Sequence, residues 1–194
     1  MKLLGLTGGV GMGKSTTAGY LLQSGARVVD TDELARELVQ PGQPALAEIR
    51  REFGGEVFLA NGSLDRAALA EKVFAGEVAR KKLEAILHPR IRERWLAQVE
   101  IWRQQKVPLA FVIIPLLFET QAENQFEKII CVACSENSQR ERLLDRGWSP
   151  EQIQQRIAAQ MPVEQKMARS NFVVWTEGAL AVHRQQVEDI LSRL

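Results

Sequence analysis

The sequence has little cysteine, little histidine and almost no net charge. Cys131 and Cys134 are its only cysteines. Their C-x2-C spacing has no second pair to complete a metal or redox site, and they fall in or just beyond the apolar run from Ile129 to Ala133, where small buried thiols are ordinary. Nothing resembles a zinc site or a nucleophile triad, and no disulfide is needed for a chain of this length to fold. Lys and Arg number 25 against 24 Asp and Glu, a net charge of +1. That gives no global field to hold a polyanion, so a general nucleic-acid or membrane-surface binder is disfavoured, while a local basic patch is still allowed. Long hydrophobic runs are also missing. The longest, Val107 to Phe118, has 12 residues and two prolines, against the roughly 20 apolar residues that span a bilayer. The N-terminus, Met-Lys-Leu-Leu-Gly-Leu, breaks at once into glycines and lacks a signal peptide's apolar stretch. The expectation is a reduced, cytoplasmic protein with no membrane, nucleic-acid or obligate protein partner.

What is present reads as alternating strands and helices in 194 residues, of which 45% are hydrophobic. Lys2 to Thr7 is a short apolar run ending in glycines, and from Lys14 to about Gln23 apolar and small residues recur at helical spacing. Arg27-Val28-Val29 forms a second strand ending at Asp30. Leu109 to Ile114 is apolar without alternation, as a central strand covered on both faces requires, and Ile129 to Val132 and Phe172 to Val174 look like two more. The sum is an α/β, three-layer fold with a parallel sheet of about five strands. Residues 32 to about 106 differ, being rich in Ala, Leu, Glu, Arg and Gln with turns at Pro41-Gly42, Gly54-Gly55 and Asn61-Gly62. This is a helical insertion. Two further helices precede the last strand. Ser135 or Asn137 could cap the first, and Ser149-Pro150-Glu151-Gln152 starts the second as a capping box.

Gly8-Gly9-Val10-Gly11-Met12-Gly13-Lys14-Ser15 fills every fixed position of G-x-x-x-x-G-K-[ST] and stands between a strand and a helix. Glycines let successive N–H groups turn inward around phosphate oxygens, and the helix N-terminus adds positive potential. Lys14 would act as a cation on the transferred phosphate, and the Ser15 hydroxyl would ligate Mg²⁺. No N-K-x-D motif occurs, which argues against a switch GTPase. The strand Phe111 to Ile114 runs into Pro115 without an acidic residue, so the Walker-B carboxylate of a typical ATPase is missing. Small-molecule kinases remain. Asp30 and Asp32 stand at the carboxyl end of a strand expected beside the P-loop strand, where ligands bind in open α/β sheets. Asp32 is assigned as the base that takes the acceptor hydroxyl's proton, with Asp30 as a supporting or metal-side group. Capping of the following helix is the structural alternative for either.

Together these residues resemble the dephospho-CoA kinase family over nearly the whole chain. The resemblance is carried by Leu6 to Thr16, Asp30-Thr31-Asp32, Leu64-Asp65-Arg66, His88-Pro89, Pro115-Leu116-Leu117-Phe118-Glu119, Gln139-x-x-Arg142 with Arg146, and Arg156-x-x-x-Gln160. It implies a P-loop kinase core over residues 1–31, 107–134 and 170–194, an acceptor-binding helical insertion over 32–106 and a lid over 136–162. It also implies that ATP and Mg²⁺ are used to phosphorylate the ribose 3′-hydroxyl of dephospho-CoA, completing CoA synthesis. ATP would be bound by Gly8 to Thr16 with Arg142 and Arg146; these two are four apart and expected on one helix face. Asp32, Lys14 and Arg142 would be catalytic. Asp30, Asp32, His88 and Arg92 would meet the acceptor, and Ser15 the metal, with Asp30 or Asp32 acting through water. Many relatives carry Asp where Ile113 stands, and Asp and Asn near Asn171 and Thr176. The rivals are a kinase of a nucleoside, nucleotide or shikimate-like alcohol, and a nucleotide-binding module without turnover.

Several residues read as structural or double-edged. Residues 80–94 hold six Lys or Arg and two Glu, a local +4, open to CoA phosphates or to solvent. His88 before proline suggests the start of a helix, Trp95 and Trp102 suggest core packing, and His183 in the last amphipathic helix is expected at the surface.

Overall fold

A computed structural model describes residues 1–194 apart from the side chains of residues 74 and 75. In chain order the elements are β1 (Lys2–Gly8), α1 (Lys14–Gln23), β2 (Arg27–Asp30), α2 (Thr31–Leu38), α3 (Pro44–Phe53), α4 (Arg66–Ala75) and α5 (Glu77–Gln104). There follow β3 (Leu109–Ile113), β4 (Lys128–Ala133), α6 (Glu136–Leu144), α7 (Pro150–Ala158), α8 (Val163–Ala168), β5 (Phe172–Trp175) and α9 (Leu180–Leu191). The chain divides into two compact units, residues 1–30 with 102–194, and residues 31–101.

The first unit holds a five-stranded parallel sheet in the order β2-β3-β1-β4-β5. The strand ending in Asp30 is therefore not beside the P-loop strand. β3 stands between them, with Ile113 opposite Leu6 on one side and Asp30 on the other. The residues explain the order. Ala110 to Ile113 are exposed by 1% or less, so β3 needs cover on both faces and a neighbour at each side. β2 has four residues, none of them buried, and suits an edge. On one face of the sheet Leu4, Leu6, Phe111, Ile113, Ile130 and Val132 pack with Ala18 and Leu21 of α1 and Val187 and Ile190 of α9. On the other face α8 packs against β1 and β4, and Leu117 reaches Gly5 so closely that a Cβ there would lie 2.7 Å from its Cδ1. That completes three layers.

The second unit is helical and has its own apolar centre of Val39, Ala45, Ile49, Phe53, Val57, Leu69, Val73 and Ile86. Asp65 caps α4 by accepting from Ala67 N–H at 3.0 Å and Ala68 N–H at 3.1 Å. His88-Pro89 does not start a helix: both lie inside the 28-residue α5. An interior proline removes one backbone hydrogen bond and crowds the preceding turn. Here Arg90 spans that turn, its guanidinium donating to Ile86 O at 2.6 Å and to Glu48. Trp95 and Trp102 are buried, as their spacing suggests.

Candidate active site

The loop between β1 and α1 is shaped by contacts that only glycine allows. Gly8 has φ 143° and a Cβ there would fall 2.2 Å from Val132 O; Gly11 has φ 75° and a Cβ would fall 2.9 Å from Leu143 Cγ. α1 starts at Lys14 with no side-chain cap, and its N-terminus carries the positive potential that suits a phosphate. Lys14 Nζ lies across the loop and donates to Gly8 O at 2.9 Å and Gly9 O at 2.8 Å. Ser15 and Thr16 are exposed at the same helix end. Cation, helix terminus and hydroxyl are thus gathered at one end of the sheet.

Behind the loop lies a buried polar network. Thr17 Oγ1 donates to Gly13 O at 3.2 Å and is 2.8 Å from His183 Nε2. His183 is 3% exposed, which corrects its expected surface position. Its recurrence with Val187 and Ile190 at i, i+4 and i+7 puts it on the inward stripe of α9. Burial first, and the Arg142 charge second, hold its pKa below the ordinary value. Thr176 Oγ1 donates to Met12 O at 3.0 Å and accepts from Arg142 Nη1 at 2.9 Å, while Arg142 Nη2 donates to Thr176 O at 2.6 Å. The hydroxyl at position 176 thus becomes part of the P-loop wall. Asn171 Oδ1 accepts from Ile129 N–H at 2.8 Å and starts the β4–β5 pairing.

Arg142 and Arg146 do not share a helix face. α6 ends at Leu144, and Arg146 lies in the turn before Gly147, whose φ is 81°. A left-handed glycine reverses the chain there before the second helix can begin. Ser135 caps α6, and Ser149 with Gln152 forms the expected capping box on α7.

Lys166 has no sequence context that singles it out, whereas Glu119 closes the Pro115–Glu119 motif. The Lys166 side chain is 0% exposed, and its Nζ donates to Pro115 O at 2.6 Å and Glu119 Oε1 at 2.8 Å. The same Glu119 oxygen accepts Met161 N–H at 2.8 Å, and Thr7 Oγ1 donates to Pro115 O at 3.2 Å. A lysine in a six-residue helix carries no periodic signal of burial, although the Pro115–Glu119 motif marks the place where it anchors. Burial pushes the Cys131 thiol up to about 11 and raises Cys134 as well, so both are protonated buried groups.

Of the carboxylates, Asp30 closes β2 in the first unit, and Asp32 lies exposed in the first turn of α2, in the helical unit. His88 and Arg92 are also in the helical unit, on α5. His88 is half-buried, and burial lowers its pKa despite the opposing charge of Glu84. Five of the six cations in 80–94 are engaged locally: Arg80 with Glu84 (3.7 Å), Lys81 with Glu77 (2.8 Å), Lys82 with Glu52 (3.2 Å), Arg94 with Glu37 (3.6 Å), and Arg90 with Glu48.

A family model described as dephospho-CoA kinase matches residues 2–181. The chain belongs to the dephospho-CoA kinase family. It is 47% identical over 195 residues to the dephospho-CoA kinase of Anaeromyxobacter dehalogenans, covering 100% of this chain and 92% of that one. To the dephospho-CoA kinase of Bdellovibrio bacteriovorus it is 44% identical over 174 residues, 90% of this chain and 87% of that one. Among solved structures, a Thermus thermophilus protein superposes with a TM-score of 0.84 at 34% identity, over 100% of this chain and 97% of that one. A shikimate kinase from Bacteroides thetaiotaomicron, at 12% identity and a TM-score of 0.51 over 98% of both chains, shares the fold. The family's P-loop kinase fold is the one the strand order and the Gly8–Ser15 loop describe.

Proposed function

We infer that the chain transfers the γ-phosphoryl group of ATP to the ribose 3′-hydroxyl of dephospho-CoA, yielding CoA and ADP in the last step of CoA biosynthesis. The observation that carries this reading is the family match over residues 2–181, laid on a P-loop that presents Lys14 and an uncapped helix N-terminus together.

In the reaction the ribose 3′ oxygen attacks the γ-phosphorus in line, its proton passes to Asp32, and the bond from γ-phosphorus to the β,γ-bridging oxygen breaks to release ADP. Lys14 leaves the Gly8 and Gly9 carbonyls for the phosphate oxygens, a charge-assisted exchange that favours phosphate. Arg142, held by Thr176 beside the P-loop, adds a second cation toward the nucleotide, and Arg146 a third from the turn. Residues 136–162 act as the lid that excludes water, so that ATP is not hydrolysed. Asp30, His88 and Arg92 contribute to the acceptor side.

The donors present suit Mg²⁺. Among the described residues no group of three or more His, Cys, Asp or Glu could hold a metal ion. Mg²⁺ in kinases takes hard oxygen ligands, few of them from protein, and keeps several waters. The exposed Ser15 hydroxyl would hold it, with Asp30 or Asp32 acting through water. When bound it neutralises charge developing on the β- and γ-phosphates. Among the described residues no helix is long and apolar enough to cross a membrane; this reading places the reaction in the cytoplasm, with no nucleic acid and no obligate protein partner.

An ADP-release assay across a panel of hydroxyl acceptors tests the reading, with dephospho-CoA, nucleosides, nucleotides and shikimate included. Dephospho-CoA should be turned over fastest. Equal or faster turnover of another acceptor would overturn the assignment of substrate, and no turnover of any would point to a binding module.

A further inference from the structure

The geometry points to Gln139 and Gln160 as positioning residues that clamp Val10 of the P-loop from both sides and fix the two roots of the α6–α7 pair to it. Gln139 is the fourth residue of α6, and Gln160 follows the end of α7 by two residues, so the whole helix pair lies between them. Both reach the same residue. Gln139 Nε2 donates to Val10 O at 2.7 Å, and Gln160 Oε1 accepts from Val10 N–H at 3.1 Å. Gln139 is 4% exposed. A Cβ on Gly9 would lie 3.2 Å from Gln139 Nε2 and one on Gly11 2.9 Å from Leu143 Cγ, so one face of α6, at i and i+4, sits directly on the loop glycines.

Val10 stands among Gly8, Gly9, Gly11 and Gly13, in a stretch with unusual conformational freedom to lose. Its own N–H and C=O are turned to the glutamines. With both groups held, the neighbouring peptides keep the orientation in which their N–H groups meet phosphate, and no ordering is left to be done when ATP arrives. The same two bonds make Val10 the pivot of the helix pair. Polarity is fixed at each position. The Val10 carbonyl needs a donor, which a carboxylate cannot supply, whereas the Val10 N–H needs only an acceptor, which a carboxylate can.

The inference rests on the reading of 136–162 as a lid over ATP, and its test is separable from that of the acceptor. ATP is titrated calorimetrically into the wild type, Q139A, Q160A, the double variant, Q139E and Q160E without acceptor; kcat, both KM values and melting temperature are then measured. Each alanine variant should weaken ATP binding by about threefold to tenfold, the worth of one such hydrogen bond, and leave the KM for dephospho-CoA unchanged. The double variant should bind ATP about as weakly as the weaker single one, because either break releases Val10. Q160E should recover affinity to within about threefold of wild type, and Q139E should not. Unchanged ATP affinity in both single variants, losses that multiply in the double variant, or recovery by Q139E equal to that by Q160E would overturn the clamp. Gln160 is only half-buried, so Q160A and Q160E carry the test should Q139A fail to fold. A wild type that binds ATP without phosphorylating dephospho-CoA would refute the proposed function and leave the titrations able to judge the clamp.

Discussion

Behind the P-loop, Thr17, Gln139, Lys166, Thr176 and His183 are each less than 10% exposed, and each is hydrogen-bonded to a group from another element. Among the described residues of 31–101 the ion pairs join side chains that keep a quarter or more of their surface. Examples are Lys72 with Glu56 (41% and 62%), Arg94 with Glu37 (41% and 59%) and Arg90 with Glu48 (28% and 34%). The difference separates two ways of using polar residues. A buried group stripped of its partner costs about 1–3 kcal/mol and disturbs what it positions. An exposed pair contributes about 0–1 kcal/mol and positions little. The sheet unit therefore spends its polar residues on holding the phosphate loop still, while the helical unit is held by its apolar centre and leaves its charges to solvent.

The largest expected effect on rate separates two carboxylates on either side of the division between the units. Asp32→Asn should lower kcat by roughly 10²-fold or more, as for a lost general base. Asp30→Asn, which leaves the base in place, should lower it less. Equal losses in stopped-flow or steady-state assays would reassign the base. In stability, Ile49→Ala should destabilise the helical unit by about 2–5 kcal/mol, as for a fully buried aliphatic side chain. Lys166→Met should destabilise the sheet unit by about 3 kcal/mol, because Glu119 loses its buried cation. Urea unfolding measures both.

The two histidines give a smaller effect with a definite sign. Burial lowers the pKa of both below the ordinary 6.5, so as pH falls the unfolded chain takes up protons before the folded one does. Their stabilising contribution is full above about pH 6.5 and is lost as the pH drops toward their folded values. His183→Gln should flatten the fall in melting temperature between about pH 6.5 and 5; an unaltered slope would mean that burial does not hold the imidazole neutral. Smallest of all, Lys72→Ala should change stability by less than about 1 kcal/mol. A larger loss would erase the contrast between the two regions.

The same contrast explains what could be read from the chain. The P-loop is a local pattern with fixed residue types at fixed spacing, and it appears between β1 and α1 as read. The five strands were legible because apolar runs too short for helices announce buried parallel strands, and the Ser149 capping box because its partners are three residues apart. The polar network was not, since Thr17 and His183 are 166 residues apart and Val10 and Gln139 are 129 apart. Composition shows which residues can hydrogen-bond but not which ones meet. The place of β2 at the edge depended on comparing its burial with that of β3. Pro89 misled for the opposite reason: its local preference for a helix start is overridden by the 28-residue helix that runs through it.

The central claim is that the P-loop lysine and the carboxylate after β2 together drive transfer to an alcohol rather than to water. Phosphorus NMR of the reaction of ATP with dephospho-CoA tests it most directly. The account predicts one new phosphomonoester resonance on the ribose 3′ position for each ADP formed, and its near-disappearance in Asp32→Asn. Orthophosphate accumulating in step with ADP, with no phosphorylated acceptor, would contradict it.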